Sequence, residues 1–382
     1  MIAHTQNGKP CVVHYSSVYL PFTCNWLYHQ LIYQERVKPV FLSRKVRHRE
    51  KFPGITVHSL DQYSLLRQAA EVAHFKIKGY FRFMDRVSRD NRVRVLHVHF
   101  GYHGVKMAGL AARLGVPALC SFYGDDAYNF PQLRLNAYHG LFAVFNRILV
   151  LGPAMKARLV QLGCPPEKII IHHLGTPVRE VPFRKRQAEP GEKLRFMLAC
   201  NLVKKKGVDV ALRAFARLAE SYSFSVDILG EGPLEDELKR LTGQLGLTDR
   251  VTFQKFKTHE KLIAHMHSAH VFVQASRTTE DNRKEGTPVV LMDAMASGMP
   301  VVSTRHSDIP EIVHDGVNGF LAEENDVDSL AQALRNMLDN REQLGSLGYA
   351  GRQHIEREFD ALKQARRLED IYINLLAEKA TG

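Results

Sequence analysis

Paired cysteines are missing from this chain. Its five cysteines, Cys11, Cys24, Cys120, Cys164 and Cys200, are an odd number with no CxxC spacing. That argues against a disulfide framework or a thiolate metal site, and it fits reduced thiols in a cytoplasm. Long apolar runs are missing too: no stretch of about 18 apolar residues occurs. The opening MIAHTQNGKPCVVHYS passes into strand-like sequence without an apolar leader core. Neither a membrane-spanning helix nor a secretion signal is expected. No HExxH motif, internal repeat or low-complexity tract occurs either, so no zinc helix of that kind and no repeat architecture is indicated.

What is present is a soluble, globular composition, 45% hydrophobic and 24% charged over 382 residues. That length exceeds what one hydrophobic core ordinarily supports, so two domains are expected. The net charge is +12. Much of it lies between Arg36 and Arg94, in FLSRKVRHREKF and FKIKGYFRFMDRVSRDNRVR, where basic residues alternate with Phe, Tyr and Ile. The mixture suits a bilayer, a lipid-linked phosphate or nucleic acid, and equally a solvated basic face.

Short β-branched runs alternate with helical patterns along the chain, which signals parallel sheets wrapped by helices. The first half offers KPCVVHYS, KPVFLS, GITVHSL, RVLHVHF, PALCSFY, RILVLG and KIIIHHLG; the second offers LRFMLAC, FSVDILG, VTFQKF, HVFVQAS and MPVVST. Between them VREVPFRKRQAEPGEKL is charged, holds two prolines and a glycine, and has neither periodicity. The expected layout is a doubly wound domain over 1–178, a linker over 179–194 and a second doubly wound domain over 195–360. A closing helix over 361–382, amphipathic through Leu362, Ala365, Leu368, Ile371, Tyr372 and Leu375, is free to return to the first domain. Ligands of such sheets sit beyond the carboxyl ends of the strands, which makes the cleft between the domains the expected site.

The stretch KEGTPVVLMDAMASGMPVVST contains a helix that is apolar all round except for Asp293. Thr287 is the expected N-cap, Pro288 the first helical residue and Gly298 the stop. A carboxylate in such a helix must be paired or bind something. The helix start, with unpaired N–H groups and partial positive charge, suits a phosphate. Glu285 lies just before it. The competing reading is that Asp293 only pairs with a buried Arg or caps a backbone group.

Glu285, seven intervening residues and Asp293 resemble the signature of family-4 retaining glycosyltransferases, in which the second acid is Glu. NLVKKKGVDVALRAF, SDIPEIVHDGVNGFLAEENDVDSLAQAL and HVHFGYHGVKMAGLAARLGVPALCSFYGDDA are similar to other family regions in the expected order, as is the terminal REFDALKQARRLEDIY. Within the family the chain looks most like bacterial surface-polysaccharide enzymes, including the colanic-acid type. The resemblance implies the α/β GT-B fold: two Rossmann-like doubly wound domains facing across a cleft, with a closing C-terminal helix. The first domain would be the acceptor side and the second would bind the nucleotide sugar.

It further implies that Glu285 contacts the donor sugar and that Asp293, one methylene shorter than the family's Glu, meets the ribose hydroxyls. By the same resemblance, Lys206 would stabilise the leaving diphosphate. The family's Gly-Arg pair is replaced by Cys200 and Asn201, so a bidentate clamp is lost and Lys204 or Lys205 would compensate. Taken without the family, the KKK run is also an ordinary solvated turn. Tyr123 stands where many relatives carry His, and Asp126 at the family's Asp; a phenol donates a hydrogen bond but is a poor base. Tyr123 could instead be a strand-end aromatic packed on the core.

Gly230 and Gly232 of GEGP, together with Gly286, Thr287 and Pro288, are expected against the donor. GxGP is also an ordinary turn. Glu311 matches a donor-side position, or is simply a first-turn acid. His99 and Gly101 are assigned to the acceptor side. His97 and His99 have a spacing that suits a metal only on a strand with a third ligand in view, while His265 and His267 are expected on a helix, without a ligand role. No metal is expected, and no cofactor beyond the nucleotide-diphosphate sugar as co-substrate.

The implied partners are a polyprenyl-linked glycan or polysaccharide acceptor and an anionic membrane surface at the inner face of the plasma membrane, with no nucleic acid. Rival functions are a GT-B epimerase or phosphorylase, and a nucleotide-sugar-binding protein without catalysis.

Overall fold

The computed structural model describes residues 8–20, 24–133, 136–189, 191–255 and 258–381. The opening MIAHTQN and Phe256, at the end of an expected strand, lie outside the described residues. The chain divides into two compact units, residues 1–175 with 361–382, and residues 176–360.

The first unit is built on seven parallel strands: β1 (Cys11–Tyr15), β2 (Lys38–Ser43), β3 (Thr56–Ser59), β4 (Val93–His99), β5 (Ala118–Ser121), β6 (Arg147–Val150) and β7 (Ile169–Ile171). Their order is β3-β2-β1-β4-β5-β6-β7. All five residues of β1 are buried. A central strand covered on both faces has no polar side, so CVVHY reads as a nearly continuous apolar run. Each of the seven expected strands of this half is found. Two further two-residue strands, Val18–Tyr19 and Lys45–Val46, pair with each other.

The closing helix Ala361–Thr381 belongs to this unit. Leu368, Tyr372 and Leu375 pack on Val12, Val37, Val95, Leu119 and Leu149. Glu369, fully buried, accepts the backbone N–H groups of Arg36 (2.5 Å) and Val37 (3.2 Å), while the Arg36 guanidinium reaches Asp370 at 2.8 Å. Apolar burial holds the helix on the sheet, and the paired carboxylate sets its register.

The second unit holds six parallel strands: β8 (Leu194–Ala199), β9 (Phe224–Leu229), β10 (Val251–Gln254), β11 (Val271–Gln274), β12 (Val301–Thr304) and β13 (Gly319–Ala322). Their order, β10-β9-β8-β11-β12-β13, is the 3-2-1-4-5-6 arrangement of a dinucleotide-binding fold. Strand β13 is the one the sequence pattern misses. GFLA is four residues inside a turn-rich segment, too short to display alternation.

In each sheet the winding direction reverses between two neighbours, β1 and β4 in the first, β8 and β11 in the second. The loops leaving the carboxyl ends of those strands diverge there and leave a crevice. Both candidate sites lie at these reversals.

Candidate functional site

At the reversal of the second sheet, the loop after β8 carries the 3-10 turn Lys204–Lys206 and ends on Gly207. Gly207 is left-handed (φ +61°), and a Cβ there would fall 1.9 Å from the Ala275 carbonyl. Only glycine lets this loop lie against the one leaving β11. Arg277 fastens the turn: its N–H donates to the Lys205 carbonyl (2.9 Å), its Nε to the Lys204 carbonyl (2.9 Å), and its guanidinium pairs with Asp209 (3.0 Å).

The turn presents Lys206 to Glu285, and the two form an ion pair with 13% exposure of each side chain. Burial pushes the Glu285 carboxyl upward, but Lys206 and Lys205 outweigh it and hold it below its ordinary value. A paired but incompletely shielded charge of this kind is suited to meeting a charged ligand. Lys205 also reaches the Lys284 carbonyl at 3.5 Å.

Behind Glu285 stands a chain of partners built on the buried His306. The Glu285 N–H donates to His306 Nε2 at 2.9 Å, which leaves the proton of the neutral ring on Nδ1, facing Glu324. Burial and Lys284 lower the His306 pKa against the pull of Glu324 and Glu285. Glu324, which burial alone would raise, is brought below its ordinary value by His306 and by Thr278, whose N–H and hydroxyl donate to it at 3.0 and 2.9 Å. The backbone that carries Glu285 is thus fixed by two further strand-end loops.

Gly230 and Gly232 do lie beside this loop, but their need for glycine arises within the protein. A Cβ on Gly230 would fall 1.9 Å from the Cys200 carbonyl, and one on Gly232 2.5 Å from the Leu202 carbonyl. Asn201 is exposed, and its carbonyl accepts the Val203 N–H at 2.9 Å. Cys200 is no nucleophile, since burial pushes its thiol up to about 11. Gly286, Thr287 and Pro288 are buried. The helix runs Val289–Ala296, with Pro288 as N-cap. It starts one residue later than expected because Pro288 keeps an extended ψ of 100° and so stands at the N-cap itself. Gly298, left-handed at φ +88°, terminates it as expected. Glu311 is exposed in the turn Ile309–Glu311, and its carbonyl accepts from His354 at 2.9 Å.

Asp293 lies apart from Glu285 in its contacts. It is 3% exposed; one oxygen accepts the Thr176 hydroxyl, and the other faces His259 Nε2 at 3.2 Å. Its carboxylate raises the His259 pKa. The carboxylate in the apolar helix is therefore paired inside this unit, with a hydroxyl and an imidazole rather than an arginine.

The first sheet's reversal brings together His99, Gly101, Tyr123 and Asp126. Asp126 is buried and accepts the N–H groups of Gly101 (2.9 Å), Tyr123 (3.0 Å) and Gly124 (2.8 Å). It clamps two loops, and burial, outweighing these bonds, raises its pKa. Gly101 could carry no Cβ, which would lie 2.1 Å from the Phe122 ring. Phe100 before it adopts φ +72°, ψ 130°, a conformation a side chain rarely accepts, and the strain sits at the end of β4.

Tyr123 is half-buried against Trp26 (ring centroids 4.6 Å), and its hydroxyl meets His99 Nδ1 at 2.7 Å. His99 Nε2 in turn meets His14 Nδ1 at 3.1 Å. His14, His97 and His99 place ring nitrogens within 4.8 Å of one another, supplying from β1 the third histidine that the sequence spacing left open. Both nitrogens of His97 are taken, by Tyr372 (2.6 Å) and Ser121 (2.7 Å), so the cluster is a hydrogen-bonded network without a spare ligand atom on His97. Burial, followed by neighbouring imidazoles, lowers His97 and His99 well below the ordinary histidine range. His265 and His267 lie on the helix His259–Ser268 as expected.

Two family models match the chain, "Glycosyl transferases group 1" over residues 181–354 and "Glycosyl transferase 4-like domain" over residues 36–175. WcaL of Salmonella typhimurium, named for colanic acid biosynthesis, is 35% identical over 293 residues, 75% of this chain and 72% of WcaL. The chain belongs to the group 1 glycosyltransferases. AmsK of Erwinia amylovora, named as an amylovoran biosynthesis glycosyltransferase, is 33% identical over 72% of this chain and 68% of AmsK. In fold, this glycosyltransferase matches HepE of Anabaena, solved in complex with UDP. The TM-score is 0.75 over 96% of this chain and 100% of that one, at 15% identity. The architecture is GT-B.

Sequence reasoning missed His306, Glu324 and Arg277 behind the Lys206–Glu285 pair, Thr176 and His259 on Asp293, and His14 and Trp26 around Tyr123. His14 carried a usable signal, a polar residue near the end of an otherwise apolar strand. The other partners come from distant segments and carry no spacing by which to find them.

Proposed function

We propose that this glycosyltransferase moves a hexose, with retention of configuration, from a UDP- or GDP-sugar to a lipid-linked or growing surface polysaccharide at the inner face of the cell membrane. The observation that carries the proposal is the Lys206–Glu285 pair at the reversal of the second sheet. The UDP bound by HepE and the polysaccharides for which WcaL and AmsK are named support the choice of donor and acceptor.

As the bond from sugar C1 to the diphosphate breaks, negative charge grows on the departing phosphate, and Lys206 stabilises it. Lys205, Asn201, the Gly230–Gly232 turn and the helix start behind Gly286, Thr287 and Pro288 supply the remaining donor contacts. Glu285 holds Lys206 in place and accepts from a donor-sugar hydroxyl. The acceptor oxygen bonds to C1 on the face the diphosphate leaves, and its proton passes to the departing phosphate. Tyr123 and His99 supply uncharged hydrogen-bonding groups to the acceptor, and Asp126 positions them. For Asp293 to reach the ribose hydroxyls the donor has to displace His259, its half-buried partner. Glu311, exposed in the turn Ile309–Glu311, is assigned to the donor side. The reaction calls on no metal or further cofactor, since Lys206, Lys205 and the helix start meet the diphosphate charge.

The test is nucleoside diphosphate release from UDP-glucose, UDP-galactose and GDP-mannose, with and without a lipid-linked glycan fraction. The anomeric configuration of the product is read by NMR. Acceptor-dependent release and an unchanged anomer are expected. An inverted anomer overturns retention, acceptor-independent sugar interconversion points to an epimerase, and nucleotide binding without release points to a non-catalytic binder.

A further inference from the structure

The helix Leu65–Lys78 in the first unit packs inward through Phe75, stacked on Phe81 with ring centroids 4.6 Å apart, yet leaves a second apolar side in solvent. Leu65, Leu66 and Ile77 are 82%, 86% and 77% exposed. Ala69, Ala70 and Ala73 are exposed as well. At about 100° per residue these six positions fall within one arc of roughly 140°, a stripe facing outward that is apolar but for Lys76. The inward side carries Glu71, buried and accepting the Phe83 N–H at 3.2 Å, and Gln68, which donates to the Tyr63 carbonyl at 2.8 Å. An apolar stripe left outside while a carboxylate is taken inside marks a surface made to be covered.

Its surroundings say by what. Lys76 lies on the same arc, and Arg67 and Lys78 lie beyond one edge. Ala69, Ala73 and Lys76 also line a cavity of about 620 Å³ whose other cations are Arg44 and Lys45. The acid in that cavity, Asp61, is spent on the Val46 N–H (2.9 Å) and the Ser59 hydroxyl (2.6 Å). The adjoining residues 44–51 carry Arg44, Lys45, Arg47, Arg49 and Lys51 against Glu50 alone. Apolar side chains bordered by cations, beside a cationic cavity of headgroup size, are complementary to an anionic lipid surface.

We infer that Leu65–Lys78 is a membrane-contact helix. Its stripe enters the acyl boundary of an anionic leaflet, while Arg44, Lys45 and Lys76 take lipid phosphates. The inference rests on the membrane reading above and adds to it a residue-level surface, with insertion as well as charge holding the enzyme there. No described helix is long and apolar enough to cross a membrane, so the contact is interfacial.

The experiment is co-sedimentation of the full chain with vesicles of phosphatidylcholine alone and of phosphatidylcholine with phosphatidylglycerol. Wild type is compared with the triple variant Leu65→Ser, Leu66→Ser, Ile77→Ser. Wild type is expected to bind the anionic vesicles, and the triple variant to bind them about 100-fold more weakly with an unchanged melting midpoint. Leu66→Trp supplies a second readout, a blue-shifted emission on anionic vesicles above the constant Trp26 background. Equal binding by the triple variant, or no shift from Leu66→Trp, overturns the helix assignment and leaves the membrane reading standing. Failure of wild type to bind overturns both. A wild-type dimer that the triple variant converts to monomer would show that a second copy covers the stripe, and would also overturn it.

Discussion

The two sheets solve the same topological problem with opposite chemistry. At the reversal between β8 and β11 the loops present charge: Lys206 against Glu285, backed by His306 and Glu324. At the reversal between β1 and β4 they present neutral groups, His14, His97 and His99 stripped of charge by burial, with Tyr123 and Trp26 at the edge, while the buried carboxyl of Asp126 is turned onto backbone N–H groups. Topology creates a crevice in both, and the residues placed there decide what it can hold. A lysine paired with an acid that lies just before a helix start suits a diphosphate, whereas uncharged hydrogen-bonding and aromatic groups suit a sugar with little net charge. Under the proposed function, this contrast gives the division between donor and acceptor sides an electrostatic basis.

Breaking the charged side should have the largest effect. Lys206→Ala is expected to lower the transfer rate about 10³-fold and to destabilise the fold by about 3–5 kcal/mol, because Glu285 is left buried without its partner. Adding Glu285→Gln should restore most of the melting midpoint and none of the rate. Recovery of both together would reduce the pair to a structural role.

Acidification sharpens the contrast. His14, His97 and His99 are lowered from an ordinary 6.5, His14 to about 3. Below pH 6.5 the unfolded chain therefore takes up protons that the folded chain refuses. The stability these residues allow is complete above pH 6.5 and falls as pH drops toward their folded values, by up to about 2 kcal/mol per histidine at pH 5. Glu285 behaves otherwise. Its folded pKa lies below the ordinary 4.5, so its contribution is present above 4.5 and fades only as pH falls through the lower folded value. Urea unfolding at pH 7 and pH 5 should show a smaller loss in His14→Gln than in wild type, and an unchanged loss in Glu285→Gln.

The smallest effect is expected from Tyr123→Phe. It removes the hydroxyl on His99 and should cost about 1 kcal/mol of stability. Acceptor KM should rise while donor KM stays constant, as steady-state kinetics with each substrate varied would show. A shift in donor KM would place Tyr123 on the other side of the reaction.

Much of the fold was legible because parallel strands buried on both faces leave unbroken apolar runs. Such runs mark seven strands of the first sheet and five of the second, while GFLA is too short to mark itself. At the sites, what could be read was residue type in a local motif: Lys206, Glu285 and Tyr123 stand in strand-end loops and His99 is the last residue of β4. What could not be read was partnership. Nothing in KKKG and KEG announces that Lys206 meets Glu285, or that Asp293 is held by Thr176 and His259, because those pairs form only when segments distant in the sequence converge. The glycines of GEGP illustrate the same limit, since their spacing suggests a ligand while their neighbours are the Cys200 and Leu202 carbonyls.

The measurement that bears most directly on the assignment of the charged reversal to the donor is thermal unfolding with UDP and GDP in turn, on wild type and on Lys206→Ala with Glu285→Gln. At 100 times its dissociation constant a nucleotide should add about 2.7 kcal/mol, a rise of roughly 2 °C or a little more for a chain of this size. One of the two nucleotides is expected to raise the wild-type midpoint and to leave the double variant unmoved. An equal rise in both proteins would mean that the diphosphate is held elsewhere, and would contradict the division of chemistry between the two sheets.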